Sequence, residues 1–212
     1  MPATKSRHIT STAPVHPRRK ISEQDYLAWL DEDECNHGEW VDGELIIVAP
    51  ENIYHNQLIG FIYKLMDALC AHKDLGTVLM EGVQLRLPRV RSRREPDVIF
   101  IAKNRSEIIK ETYINGSPDL IVEVVSPDSS ARDYRQKFME YEKAGVREYW
   151  IIDPLSNHVE AHTLDKGKFQ PIKSDSGIVR STVVPGFYFK AEWLVSETLP
   201  NWIALLKEMG IR

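Results

Sequence analysis

Only two cysteines, Cys35 and Cys70, occur in 212 residues. They are too few for a disulfide framework and fit a reducing, cytoplasmic setting. No apolar run approaches the roughly 18 residues that a membrane-spanning helix requires. The basic N-terminus is not followed by the apolar stretch of a secretory signal. Internal repeats, low-complexity tracts and a phosphate-cradling glycine loop are absent too, which excludes repeat architectures and P-loop nucleotide hydrolases. Positive charge is scarce: 27 Lys and Arg stand against 31 Asp and Glu, for a formal net charge of −4. Lys5, Arg7, Arg18, Arg19 and Lys20 all lie in the first 20 residues, where there is no acid, so the remainder is more acidic still. Such a body can hold a nucleic-acid backbone only by concentrating positive charge locally.

What is present fits one domain, 21–212, behind a basic tail, 1–20, which is either an arm for DNA or a solvated extension. The hydrophobic share of 42% and charged share of 27% are those of an ordinary globular chain with a substantial core. Ser22 to Asp25 has capping-box spacing ahead of Tyr26, Leu27, Trp29 and Leu30. EWVDGELIIV, 39–48, carries an Asp-Gly hairpin turn. The spacing of Leu58, Ile62, Leu65, Met66 and Leu69 predicts a long amphipathic helix over 51–72. A strand over 76–87, another over 146–152, a hairpin over 158–172 and two short helices near the C-terminus follow. The fold class expected is α/β (α+β), a mixed sheet flanked by helices.

RLPRVRSRRE, 86–95, places Arg86, Arg89, Arg91, Arg93 and Arg94 in what reads as a hairpin loop. Arginine suits bidentate phosphate recognition, and this loop is the local positive charge that the acidic body otherwise lacks; the alternative is a merely solubilising loop. Directly after it, two apolar runs each carry a carboxylate where a buried strand should have none. Asp97 opens VIFIA, and Glu123 sits among Leu120, Ile121, Val122, Val124 and Val125. A carboxylate so placed requires a hydrogen-bond partner, a cation or a metal. The next segment has helical spacing, with Tyr134, Phe138 and Tyr141 on one stripe and Lys137 beside it.

REPDVIFIA, PDLIVEVVSP, the step from Asp133 to Lys137, the following Tyr141 and VREYWIIDP resemble the Uma-two family of restriction-endonuclease-like proteins, a branch of the PD-(D/E)XK nuclease fold. The resemblance spans roughly Ile21 to Leu206. It implies a metal-dependent endonuclease acting on DNA, with Mg2+ or Mn2+ held by Asp97, Glu123 and the Val124 carbonyl. Lys137 would then be the catalytic lysine, migrated from the position that Val125 occupies. Glu39 matches a family glutamate at the mouth of the metal site, although an edge-strand charge explains it equally. Arg89, Arg91, Arg93 and Arg94 are the expected phosphate contacts, and cutting both strands would favour a homodimer. His55 matches a family histidine near a helix start, where capping or packing is the commoner role. Two competing readings are an inactive nucleic-acid-binding module and a purely structural ion network of Asp97, Glu123, Lys137 and Arg132. A zinc tetrad of Cys35, His37, Cys70 and His72 has the wrong ligand spacing.

Overall fold

The computed structural model describes residues 19–33, 36–48, 52–126, 131–196 and 198–211, with backbone alone for 19 and 131–133. The basic tail before Arg19 and the zinc candidate Cys35 therefore lie outside the described residues, as do the side chains of Arg132 and Asp133.

β1 (Arg19–Lys20) leads into α1 (Glu23–Glu32). The helix begins with the expected reciprocal cap: the Asp25 N–H donates to the Ser22 hydroxyl at 3.0 Å, and the Ser22 N–H donates to the Asp25 carboxylate at 3.3 Å. β2 (Gly38–Val41) and β3 (Glu44–Ile47) are joined by Asp42 and Gly43, both at positive φ, 45° and 90°. That is the two-residue turn whose twist matches paired strands. α2 (Ile53–Lys73) is capped by Asn52, whose side chain accepts from the His55 N–H at 2.9 Å.

The single strand expected over 76–87 is instead two strands in different sheets, β4 (Gly76–Met80) and β5 (Gln84–Leu87). Gly82, at φ 89°, supplies the bend between them. The chain continues through β6 (Ser92–Arg94), β7 (Val98–Ala102), β8 (Tyr113–Asn115) and β9 (Leu120–Val124) to α3 (Ala131–Ala144). β10 (Glu148–Asp153), β11 (His158–Asp165) and β12 (Lys168–Pro171) form a meander, and the small β13 (Ile178–Arg180) and β14 (Tyr188–Lys190) pair before α4 (Trp202–Glu208).

Two mixed six-stranded sheets result, in the orders β1-β3-β2-β6-β5-β8 and β12-β11-β10-β9-β7-β4. The second carries the main core. Alternation along β9 sends Leu120, Val122 and Val124 toward α2, where they meet Leu58, Ile62, Leu65 and Leu69. Ile121 points the other way, into a cluster with Ile99, Tyr141 of α3 and Leu85 of the first sheet. Full burial of each such aliphatic side chain contributes about 1.5–3 kcal/mol.

Cys70 packs on the core side of α2, and burial pushes its thiol up to about 12. Native protein treated with a thiol-alkylating reagent should therefore remain unmodified at Cys70 until denaturant is added. Mass mapping of that residue before and after unfolding checks this.

Candidate active site

β7 and β9 run antiparallel, with Val98 opposite Val122 and Ile99 opposite Ile121. Asp97 immediately precedes β7 and Glu123 is the fourth residue of β9, so the antiparallel pairing brings both to the same end of the two strands. The Val124 N–H donates to Asp97 Oδ2 at 2.5 Å. His55 of α2 brings Nε2 to 3.0 Å from the Val124 carbonyl oxygen and 3.8 Å from Asp97 Oδ2. A carbonyl can only accept, so the proton of that contact sits on Nε2. His55 thus supports the strand end that carries the candidate ligands, a role beyond the cap or packing residue expected of it.

α3 closes the site. Lys137, Glu140 and Tyr141 lie three and four residues apart and so share one side of the helix. Lys137 Nζ donates to Glu123 Oε2 at 2.8 Å, and the Tyr141 hydroxyl donates to Oε1 at 2.7 Å. Lys137 also stands 3.9 Å from Glu39 Oε1. Glu39, expected at the mouth of the site or on a sheet edge, is buried instead. It accepts from Arg94 at 2.6 Å and from the Glu95 N–H at 3.2 Å.

The two glutamates differ in charge preference. Burial pushes the Glu123 carboxyl up; Lys137 opposes this and Glu39 adds to it, and the net shift is upward. Burial acts on Glu39 in the same sense, but Arg94 and Lys137 outweigh it and hold its carboxyl below the usual range. Three carboxylates, Glu39, Glu123 and Glu140, are thereby gathered around two basic side chains, Arg94 and Lys137, and Asp97 adds a further one at the strand end beside His55. A divalent cation would balance that excess of negative charge. No group of three or more His, Cys, Asp or Glu side chains placed to hold a metal forms among the described residues, so the candidate donors are Asp97, Glu123 and the Val124 carbonyl. Magnesium binds in that manner, through one or two carboxylates with several waters retained.

The arginines depart from expectation. Arg86 lies on β5 and Arg93 and Arg94 on β6, so the loop is only a short turn at Pro88–Val90 plus Arg91. Arg94 is 0% exposed and forked onto Glu140 at 3.1 and 2.6 Å, with no surface for a phosphate. Arg93 is nearly as buried. It donates to Glu23 at 2.8 Å and lies over the Tyr113 ring. Arg89 and Arg91 remain exposed, Arg91 pairing with Asp42 at 3.0 Å. Their turn packs against the C-terminal end of α3 near Gly145. That end is about 10 Å along the helix from Lys137 at 1.5 Å per residue.

The sequence profile of the Uma2 family, described as "Putative restriction endonuclease", matches residues 23–195. The chain belongs to the Uma2 family. Two Synechocystis sp. proteins are similar to this Uma2 chain, both uncharacterized. The protein slr1290 is 26% identical over 159 residues, covering 73% of this chain and 80% of its own length. The protein sll1609 is 26% identical over 131 residues, covering 61% and 73%. Among solved structures, a "putative nuclease belonging to DUF820" from Anabaena variabilis ATCC 29413 superposes with a TM-score of 0.66 at 16% identity, covering 80% of this chain and 95% of its own. That likeness establishes the fold, a restriction-endonuclease-like mixed α/β arrangement. Among the described residues, no helix is long and apolar enough to cross a membrane.

Proposed function

We propose that this Uma2 protein is a metal-dependent endonuclease that hydrolyses DNA phosphodiester bonds. The observation that carries the reading is the Lys137 ammonium directed onto Glu123 at the same strand end where Asp97 accepts from the Val124 N–H. Family membership and the nuclease-like fold support it.

Asp97, Glu123 and the Val124 carbonyl are the groups to hold Mg2+ or Mn2+. A cation bound there supplies charge neutralisation at the phosphate and acidifies a water. Lys137 contributes a positive charge fixed beside that position, suited to orienting the attacking water and stabilising charge on the phosphate. His55 keeps the Val124 peptide in place, and Tyr141 fixes the second oxygen of Glu123. One such site nicks a single strand; cutting both strands calls for two, as in a homodimer. Incubation of supercoiled plasmid with the protein and manganese should give nicked or linear product, and excess chelator should abolish it. Plasmid left intact under every divalent ion tried would favour an inactive nucleic-acid-binding module.

Arg89 and Arg91 are the phosphate contacts that survive from the arginine cluster. Replacing both with Ala should reduce the slope of log affinity against log salt by about 1.8, since each phosphate contact on duplex DNA contributes about 0.9. The Asp42 pair of Arg91 is exposed and too weak to prevent this. Titrations by fluorescence anisotropy at several salt concentrations measure the slope; an unchanged slope assigns the turn to solubility.

A further inference from the structure

Arg94 is among the largest fully buried side chains, ranking with Trp150. A guanidinium taken wholly out of water costs several kcal/mol unless it is paired, and well-packed apolar residues usually serve stability as well or better. Its retention therefore calls for a geometric reason. Its two carboxylate partners come from different parts of the fold. β2 and β6 are antiparallel, with Trp40 opposite Arg93, so the next step of the register sets Glu39 beside Arg94. Glu140 descends from α3 and takes two guanidinium nitrogens. One buried cation thus ties the first sheet to the helix that carries Lys137, one turn before Glu140. The other Glu39 oxygen faces Lys137.

Resting on the nuclease reading above, we infer that Arg94 is a positioning residue of this site. Through Glu140 it fixes how α3 is seated, and through Glu39 it holds a second carboxylate behind Lys137, so that the ammonium reaches Glu123. Arg94 touches neither metal nor DNA. It acts through Lys137.

The test uses Glu140→Gln, which leaves Arg94 paired with Glu39, and Arg94→Met/Glu140→Met, which removes two opposite charges together and leaves Glu39 with Lys137 as its remaining cation. Thermal unfolding confirms that each is folded. Two readouts are taken: cleavage kinetics, and the rate at which acetic anhydride modifies Lys137, followed by mass spectrometry. Both variants should lower kcat by about 10- to 100-fold, the scale of a group misplaced by about 1 Å. KM for DNA and manganese affinity should stay at parent values, and Lys137 should acetylate several-fold faster. Parent-like kcat in both variants overturns the inference, as does a fall in kcat with Lys137 acetylated at the parent rate. If the parent cuts no DNA yet Lys137 still acetylates faster in both variants, the positioning stands and the nuclease reading falls.

Discussion

Asp97→Asn and Glu123→Gln are each expected to reduce DNA cleavage by about 10²- to 10³-fold, the loss typical of removing one electrostatic stabiliser from a site of this kind. Both keep the shape of the side chain and its hydrogen bonds. The Asn oxygen can accept from the Val124 N–H, and the Gln oxygen can accept from Lys137 while Tyr141 turns to accept from the amide. Loss of activity should therefore come without loss of fold. For Glu123→Gln the sign on stability runs opposite to the sign on activity. Its carboxyl is held above the ordinary 4.5 by burial, so the folded state retains a proton that the unfolded chain releases. Below the unfolded value both states are protonated and no penalty exists; as pH rises past it, ionisation increasingly favours the unfolded chain. In chelator, the Gln variant should match the parent's Tm near pH 4 and equal or exceed it near pH 7.5. A Tm well below the parent at neutral pH would mean that Glu123 serves structure. Parent-rate cleavage by either variant would remove it from the candidate site.

The parts of this site that could be read from the chain are those where a residue contradicts its surroundings. Glu123 interrupts an apolar strand, Asp97 stands directly before another, and Lys137 interrupts the buried stripe of α3. Each conflict between side chain and environment has a chemical resolution nearby. Local turn chemistry was equally readable, because Ser22 with Asp25 and Asp42 with Gly43 act on their own backbone. What the chain concealed depends on tertiary pairing. Val83, Leu85 and Leu87 continue the apolar pattern of Gly76 to Met80, and nothing local reveals that Gly82 redirects them into another sheet. Five arginines within ten residues read as a solvated loop, since charge normally stays in water. Two of them are buried because Glu39, Glu140 and Glu23, remote in sequence, arrive to meet them. Glu140 itself is indistinguishable from any surface glutamate on a helix until the fold places Arg94 beneath it.

Lys137→Ala is expected to abolish cleavage to a similar degree while manganese binding is retained. The lysine is anchored at its tip: its side chain is 12% exposed and its ammonium lies 2.8 Å from Glu123. A long side chain on a half-buried stripe buries its stem and still delivers charge at the end, which is how a helical residue reaches a strand carboxylate. Truncation leaves Glu123 and Glu39 facing each other with one cation fewer, so the metal-free variant should unfold at a lower temperature than the parent. A divalent ion added to the variant supplies the missing charge and should recover more stability there than in the parent, because ligands that bind the folded state stabilise it by mass action. Lys143, on the same helix but exposed, is the control, and Lys143→Ala should cut at the parent rate. Calorimetric titration with manganese and plasmid cleavage on the three proteins separate the outcomes. Loss of both binding and cleavage in Lys137→Ala would make the lysine a structural counter-ion of the ligand set. Retained cleavage would remove it from the chemistry and leave the nucleophilic water to be oriented by another group.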